Sequence, residues 1–258
     1  MSTWLQNQPK SVISQINNFI SEGDCGEEIQ DVGIAIVNLM MADSSISFNE
    51  AIQLAIENDQ NIEDYFASQI FIAPDNPIAD MIEYLECFDT TQGAEITIFV
   101  NQPIAGEDDA FTSGSDKAGH AFISINQGGT IRVYGLYLEG SASPYNPNDP
   151  HAFGNNQGDA FDVSLSFSVN GPSLLNIVED AETYSINYDL NSNNCTDYVL
   201  DVAALACITL PDPQGTWPNG QGSNPGAFGQ ALRGLTLLPG MTRDLDGGNA
   251  DLNTGECQ

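Results

Sequence analysis

Asn193-Asn194-Cys195-Thr196-Asp197-Tyr198-Val199-Leu200-Asp201-Val202-Ala203-Ala204-Leu205 is the stretch whose reading decides the fold. Either Asn193 or Asn194 can cap a helix, because an asparagine oxygen accepts the unpaired N–H groups of a first turn. Cys195 then lies in that first turn, and the following residues to Ile208 are largely apolar and small. Small residues let a helix lie close against a sheet. Upstream, Gly119-His120-Ala121-Phe122-Ile123-Ser124-Ile125 reads as a strand opening on a histidine.

Working outward, Gly128-Gly129 is a tight turn between His120–Ile125 and Thr130–Leu138, which predicts a β-hairpin. Glu95–Val100 alternates with a period of two and reads as a further strand. Phe161–Val169 and Thr183–Leu190 read as two more, separated by a short helix around Pro172–Asp180. Gly106–Asp116, Ser141–Gly158 and Pro211–Pro225 read as loops, and Pro225–Leu232 as a last short helix. The tail from Met241 is polar and glycine-rich, so a flexible segment is expected there.

Residues 1–90 read as helical. Pro9 can start a helix with Val12, Ile13, Ile16 and Ile20 on one face, and Ile29, Val32, Ile36, Val37 and Met40 form a second stripe. Ser47-Phe48-Asn49-Glu50 is a capping box, and Asn76-Pro77 reads as an N-cap followed by proline at N1, leading into Ile78, Met81, Ile82 and Leu85. The expected class is α+β: an N-terminal helical region, 1–91, serving as support or docking, and a domain over 92–258 whose antiparallel sheet packs on the Cys195 helix.

Charge narrows the partners. Five basic residues against 36 acidic ones give a formal charge of −31 over 258 residues. Such a field repels phosphate backbones and anionic membranes, so nucleic-acid binding is not expected. No apolar run reaches the roughly 20 residues that cross a bilayer. The N-terminus Met1–Lys10 has no signal-peptide core. Five cysteines is an odd number. With Cys195 as a free thiol, Cys25, Cys87, Cys207 and Cys257 remain. Cys25 could join Cys87 and Cys207 could join Cys257, among three pairings, with fully reduced cysteines as the other option. An oxidising, extracellular setting is the expectation.

The chemistry follows from two side chains. A thiol attacks only as thiolate, and a helix N-terminus lowers a thiol pKa. An imidazole on a neighbouring rigid strand can take the proton, and free N–H groups of the helix start can stabilise an oxyanion. The alternative is an ordinary buried cysteine at a helix start. Gly119-His120-Ala121-Phe122-Ile123-Ser124-Ile125, the strand ending Tyr134-Gly135-Leu136-Tyr137, and Asn194-Cys195-Thr196-Asp197-Tyr198-Val199 resemble the circularly permuted papain-like proteins. These are the permuted NlpC/P60 group with its lecithin–retinol acyltransferase-like branch, and the resemblance covers roughly residues 94–235. It implies a cysteine hydrolase or acyl-transfer enzyme for amide or ester bonds, on peptide, peptidoglycan or acyl substrates. Cys195 would be the nucleophile, His120 the base, and the Cys195 N–H an oxyanion donor.

Such proteins orient the histidine with a third polar residue on the next strand, and here Thr130–Leu138 offers no His, Asp, Asn or Gln. Tyr134 is the candidate orienting group, Asn194 a candidate orienting or oxyanion group, and a Cys–His dyad or an inactive acidic binding module are the other readings. The acidic loops also look like exported bacterial proteins and toxin-like modules. His151, in Asn148-Asp149-Pro150-His151, is expected on a loop, as a bystander or a lid contact. Asp244, Asp246, Asn249, Asp251 and Asn253 are dense in oxygen ligands, but position twelve of that run is Gly255 rather than the Glu of a calcium loop. No zinc spacing, phosphate loop or Gly-x-Ser-x-Gly elbow occurs, so no cofactor or metal is expected.

Overall fold

The structure, a computed structural model, describes residues 71–110, 118–142, 147–217 and 220–256. The helices expected over residues 1–70, and with them Cys25, lie outside the described residues.

The described chain opens with β1 (Phe71–Ile72), then α1 (Met81–Leu85), β2 (Ala94–Asn101), β3 (His120–Gln127) and β4 (Thr130–Leu138). Four short strands follow: β5 (Ser141–Ala142), β6 (Asn148–Asp149), β7 (His151–Asn155) and β8 (Ala160–Phe161). Next come β9 (Val163–Val169), α2 (Gly171–Thr183), β10 (Tyr188–Asp189) and α3 (Cys195–Leu205). The chain then forms β11 (Gln214–Trp217), β12 (Gly220–Ser223), α4 (Pro225–Gly234), β13 (Thr242–Asp244) and β14 (Gly248–Asn249). The class is α+β. Six strands form one antiparallel sheet in the order β13-β9-β2-β3-β4-β7.

The period-two patterning decides which residue faces which layer. Ile96, Ile98 and Val100 of β2, Ala121, Ile123 and Ile125 of β3, and Tyr134, Leu136 and Leu138 of β4 enter the main core. That core is closed by Leu174, Ile177 and Val178 of α2, Tyr198, Val199, Val202 and Ala203 of α3, and Phe228 and Leu232 of α4. The other face is thinner: Phe99, Phe122 and Val133 pack with Ala250 of the C-terminal segment. The β3–β4 turn uses Gly128 at φ 61° and Gly129 at φ 95°, as a two-residue hairpin of this hand requires.

Several sequence expectations change. The helix expected from Asn76-Pro77 starts later, at Met81, because Asp80 caps it by accepting Ile82 N–H and Glu83 N–H. The Asn76–Ile78 backbone is instead taken up by the sheet edge: Asn155 N donates to Asn76 O and Ile78 N to Phe153 O. Leu85 and Phe88 then sit in the main core. Thr183–Leu190 is not a strand, since α2 runs to Thr183 and only Tyr188–Asp189 pairs, with β6. The stretches expected as loops at 141–158 and 211–225 contain β5–β7 and the β11–β12 hairpin.

The tail is the largest difference. It forms a strap rather than a flexible end: β13 extends the sheet beside β9, β14 pairs β8, and Asn253 bonds the Val133 N–H, the Tyr84 hydroxyl and Asn155. All three described arginines serve it or its neighbours. Arg132 donates to Tyr84 O, Thr254 O and Gly255 O, Arg233 to Leu245 O and Asp162 O, and Arg243 to Leu232 O and Leu235 O. Polar composition suggested looseness, and backbone carbonyls met by guanidinium groups give order instead.

Candidate functional site

Cys195 is the first residue of α3, and the cap that precedes it is complete. Asn194 Oδ1 accepts the N–H groups of Thr196 and Asp197 at 2.8 and 3.3 Å, and Asp197 Oδ2 accepts the Asn194 N–H at 2.8 Å. Both hydrogens of Asn194 Nδ2 go to carbonyls, Leu190 O at 3.0 Å and Ser223 O at 2.8 Å. With its amide spent in this way Asn194 has no donor left for an oxyanion, so the orienting or oxyanion role expected for it gives way to that of a structural cap. Ser223 Oγ also meets Asp197 Oδ1, which anchors the β11–β12 hairpin to the helix start.

The thiol is buried, with Cys195 only 6% exposed. The N–H groups of Ala121 and Thr196 lie toward its sulfur and favour the thiolate. Tyr188 closes the other side, its hydroxyl toward the Cys195 N–H and thiol. Burial pushes the Cys195 pKa up to about 11, with Asp197 adding to the rise and the N–H donors opposing it. The helix start was expected to depress this thiol. Desolvation of the thiolate outweighs it.

Ala121, the residue whose N–H meets the sulfur, directly follows His120. The backbone before it is fixed by Gly119 at φ 68°, where a Cβ would lie 2.4 Å from Asn101 O. Only glycine fits there. The imidazole lies against the Tyr137 ring at 4.2 Å and stacks on Phe122 at 5.6 Å. Its Nε2 is sealed from solvent and faces Asn156 Oδ1, which is equally sealed. Neither atom has a hydrogen-bond partner: they approach each other without the alignment a hydrogen bond needs. Both approach Gly135 so closely that a Cβ there would sit 2.7 Å from Nε2 and 2.9 Å from Oδ1. Burial lowers the His120 pKa to about 4, and Asn156 opposes that fall. The Cys195 sulfur and the His120 ring thus approach the same Ala121 peptide; among the described residues no hydrogen bond joins the sulfur to the ring directly. Both are neutral at pH 7.

Asn156 itself is held on three sides. Its Nδ2 donates to Tyr137 Oη at 2.5 Å and to Asp159 Oδ2 at 2.8 Å, and its backbone N–H to Val133 O at 3.1 Å. A cavity of about 180 Å³ opens beside it, bordered by Tyr137, Asp159, Asn155 and the segment from Ala73 to Asn76.

Other expected residues are placed elsewhere. Tyr134 is fully buried between Tyr84, Phe153 and Tyr198, with its hydroxyl toward Tyr198 and its pKa raised by burial. It faces the main core and does not orient His120, because strand parity puts Gly135 and Tyr137, not Tyr134, on the side of the imidazole. His151 lies on edge strand β7 rather than a loop, its ring edge-on to Tyr184 at 5.0 Å and its pKa lowered by partial burial. Cys87 is disulfide-bonded to a residue outside the described set, whereas Cys195 and Cys207 are free, which removes the Cys207–Cys257 pairing. Among the described residues no three His, Cys, Asp or Glu side chains are arranged to hold a metal ion, and no helix is long and apolar enough to cross a membrane.

Asn156 is the residue that sequence reasoning missed. The search for a third polar group stopped at the strand after His120, whereas Asn156 arrives one strand later, in Asn155-Asn156-Gln157-Gly158, a turn signal inside what read as a long loop. Compared with known proteins, the chain matches no family model, no curated protein and no solved structure.

Proposed function

We propose that the chain is a cysteine-dependent hydrolase or acyl-transfer enzyme of the permuted papain-like type, acting on an amide or ester bond. The observation that carries this reading is the Cys195 thiol toward the Ala121 N–H, next in the chain to a histidine whose Nε2 faces Asn156 Oδ1. Cysteine, histidine and asparagine form a nucleophile, a base and an orienting group.

His120 Nε2 turns to Asn156, so Nδ1 is the ring nitrogen left to act. As the sulfur bonds to the carbonyl carbon, the thiol proton passes to Nδ1 and the carbonyl electron pair moves to oxygen. Collapse expels the amine or alcohol, which takes the proton back from His120. Water or a second nucleophile then attacks the thioester and releases Cys195. With the thiol near 11 and the imidazole near 4, a pre-formed ion pair lies on the order of 10 kcal/mol uphill before mutual attraction. Proton transfer accompanies attack rather than preceding it. The Cys195 N–H, with the Tyr188 hydroxyl beside it, is the donor an incoming carbonyl oxygen would use.

Peptide or peptidoglycan cross-links are the leading substrates. The net charge of −31 and the engagement of every described arginine with backbone carbonyls favour neutral or cationic groups over anionic ones. The disulfide at Cys87 supports a setting outside the producing cell. The test is turnover of a panel of peptide amides and acyl p-nitrophenyl esters, abolished in Cys195→Ser and in His120→Ala. The burial of the thiol favours one competing reading, a binding module that kept the frame without turnover. That reading holds if no substrate turns over and Cys195 labelling is indifferent to His120→Ala.

A further inference from the structure

The Asn156 amide has two ends, and only one orientation fits its surroundings. Nδ2 carries two hydrogens, and both are used, on Tyr137 Oη and Asp159 Oδ2. A flipped amide would aim its oxygen at a carboxylate oxygen 2.8 Å away, lone pair against lone pair. A phenol can donate as well as accept, so Tyr137 alone would tolerate either orientation. A carboxylate only accepts. Asp159 is therefore the group that decides.

Its placement is built into the chain. Asn156-Gln157-Gly158-Asp159 is a turn closed by Asp159 N donating to Asn156 O at 3.1 Å, with Gly158 at φ 78°. The C-terminal strap clamps it: Ala250 N donates to Asp159 O and Asn249 Nδ2 to Gly158 O. With Nδ2 committed, Oδ1 is the atom presented to His120 Nε2, and an acceptor there favours a hydrogen on Nε2 over a second lone pair. Nδ1 is then the unprotonated nitrogen.

We propose that Asp159 is a positioning residue that fixes the orientation of the Asn156 amide and thereby holds His120 in the Nε2–H tautomer, with Nδ1 free to accept a proton. The tautomer stands by itself; its use in thiol activation rests on the hydrolase reading above. The Asp159 side chain acts on the site through its bond to Asn156.

The experiment is a long-range ¹H–¹⁵N correlation spectrum of ¹⁵N-histidine protein at pH 7.5, read for His120 in the wild type, Asp159→Asn and Asp159→Glu. His120→Gln assigns the signals, since the chain holds only two histidines. The wild type is expected to show the Nε2–H pattern. Asp159→Asn, which can donate as well as accept, is expected to mix the tautomers, and Asp159→Glu to restore the wild-type pattern. Acylation of Cys195 by a p-nitrophenyl ester is expected to fall about tenfold in Asp159→Asn. An Nδ1–H pattern in the wild type, or an unmixed Nε2–H pattern in Asp159→Asn with unchanged acylation, overturns the proposal. If the tautomer responds as stated while the thiol never acylates, the positioning role holds and the hydrolase reading fails.

Discussion

Lowering the pH should unfold this protein partly through one histidine. His120 is held neutral with a pKa near 4, against about 6.5 for an exposed imidazole. The folded state thus binds a proton less readily than the unfolded chain does. The stability associated with this difference is intact above pH 6.5 and is lost as pH falls from there through 4. Linkage gives a loss of up to about 2 kcal/mol at pH 5 and about 3 kcal/mol at pH 4. Urea denaturation of wild type and His120→Gln between pH 7.5 and 4 isolates the effect. The carboxyls raised by burial, such as Asp180, Asp197 and Asp201, oppose the trend but occur in both proteins and cancel in the difference, as does His151. The wild type should lose more stability than the variant by about that amount. Parallel pH curves within about 0.5 kcal/mol would show that His120 is solvated and that the site described here is wrong.

Other perturbations follow from the same contacts. Asn156→Ala should depress the His120 pKa further, since Asn156 raises it, and cost about 1–3 kcal/mol through the polar partners it abandons; an NMR titration with thermal melts reads both. Gly135→Ala puts a methyl group inside 3 Å of Nε2, Oδ1 and Phe122 Cβ, and should cost about 1–3 kcal/mol by melting while slowing Cys195 acylation. Asn194→Ala should destabilise by about 2 kcal/mol in denaturant, because it removes an N-cap and strands two carbonyls, and Asn194→Asp should recover only the cap. Alkylation of the native protein at pH 8 should mark exposed Cys207 much faster than Cys195, read by peptide mass mapping.

The helix at Cys195, its asparagine cap and the His120 hairpin were legible because each is a local signal: a capping residue, a change from period two to period 3.6, and a Gly-Gly turn. The strap was not. Its order comes from arginine and asparagine side chains reaching backbone carbonyls far away in sequence, such as Arg132 to Thr254, and nothing local announces such a bond. The same holds at the site. Strand parity, invisible without the register, sends Tyr134 into the core and Gly135 beneath the imidazole, and the third polar group arrives from β7's end rather than from β4. The thiol pKa failed for a different reason: a helix start was weighed without the burial that surrounds it.

The most direct measurement is the single-turnover rate of acyl transfer from a p-nitrophenyl ester to Cys195 at pH 7.5, located by peptide mass spectrometry, in wild type and in His120→Ala. General-base participation predicts an adduct on Cys195 that forms at least about a hundredfold faster in the wild type. Equal rates in the two proteins, or an adduct confined to Cys207, would contradict the assignment of Cys195 and His120 as nucleophile and base.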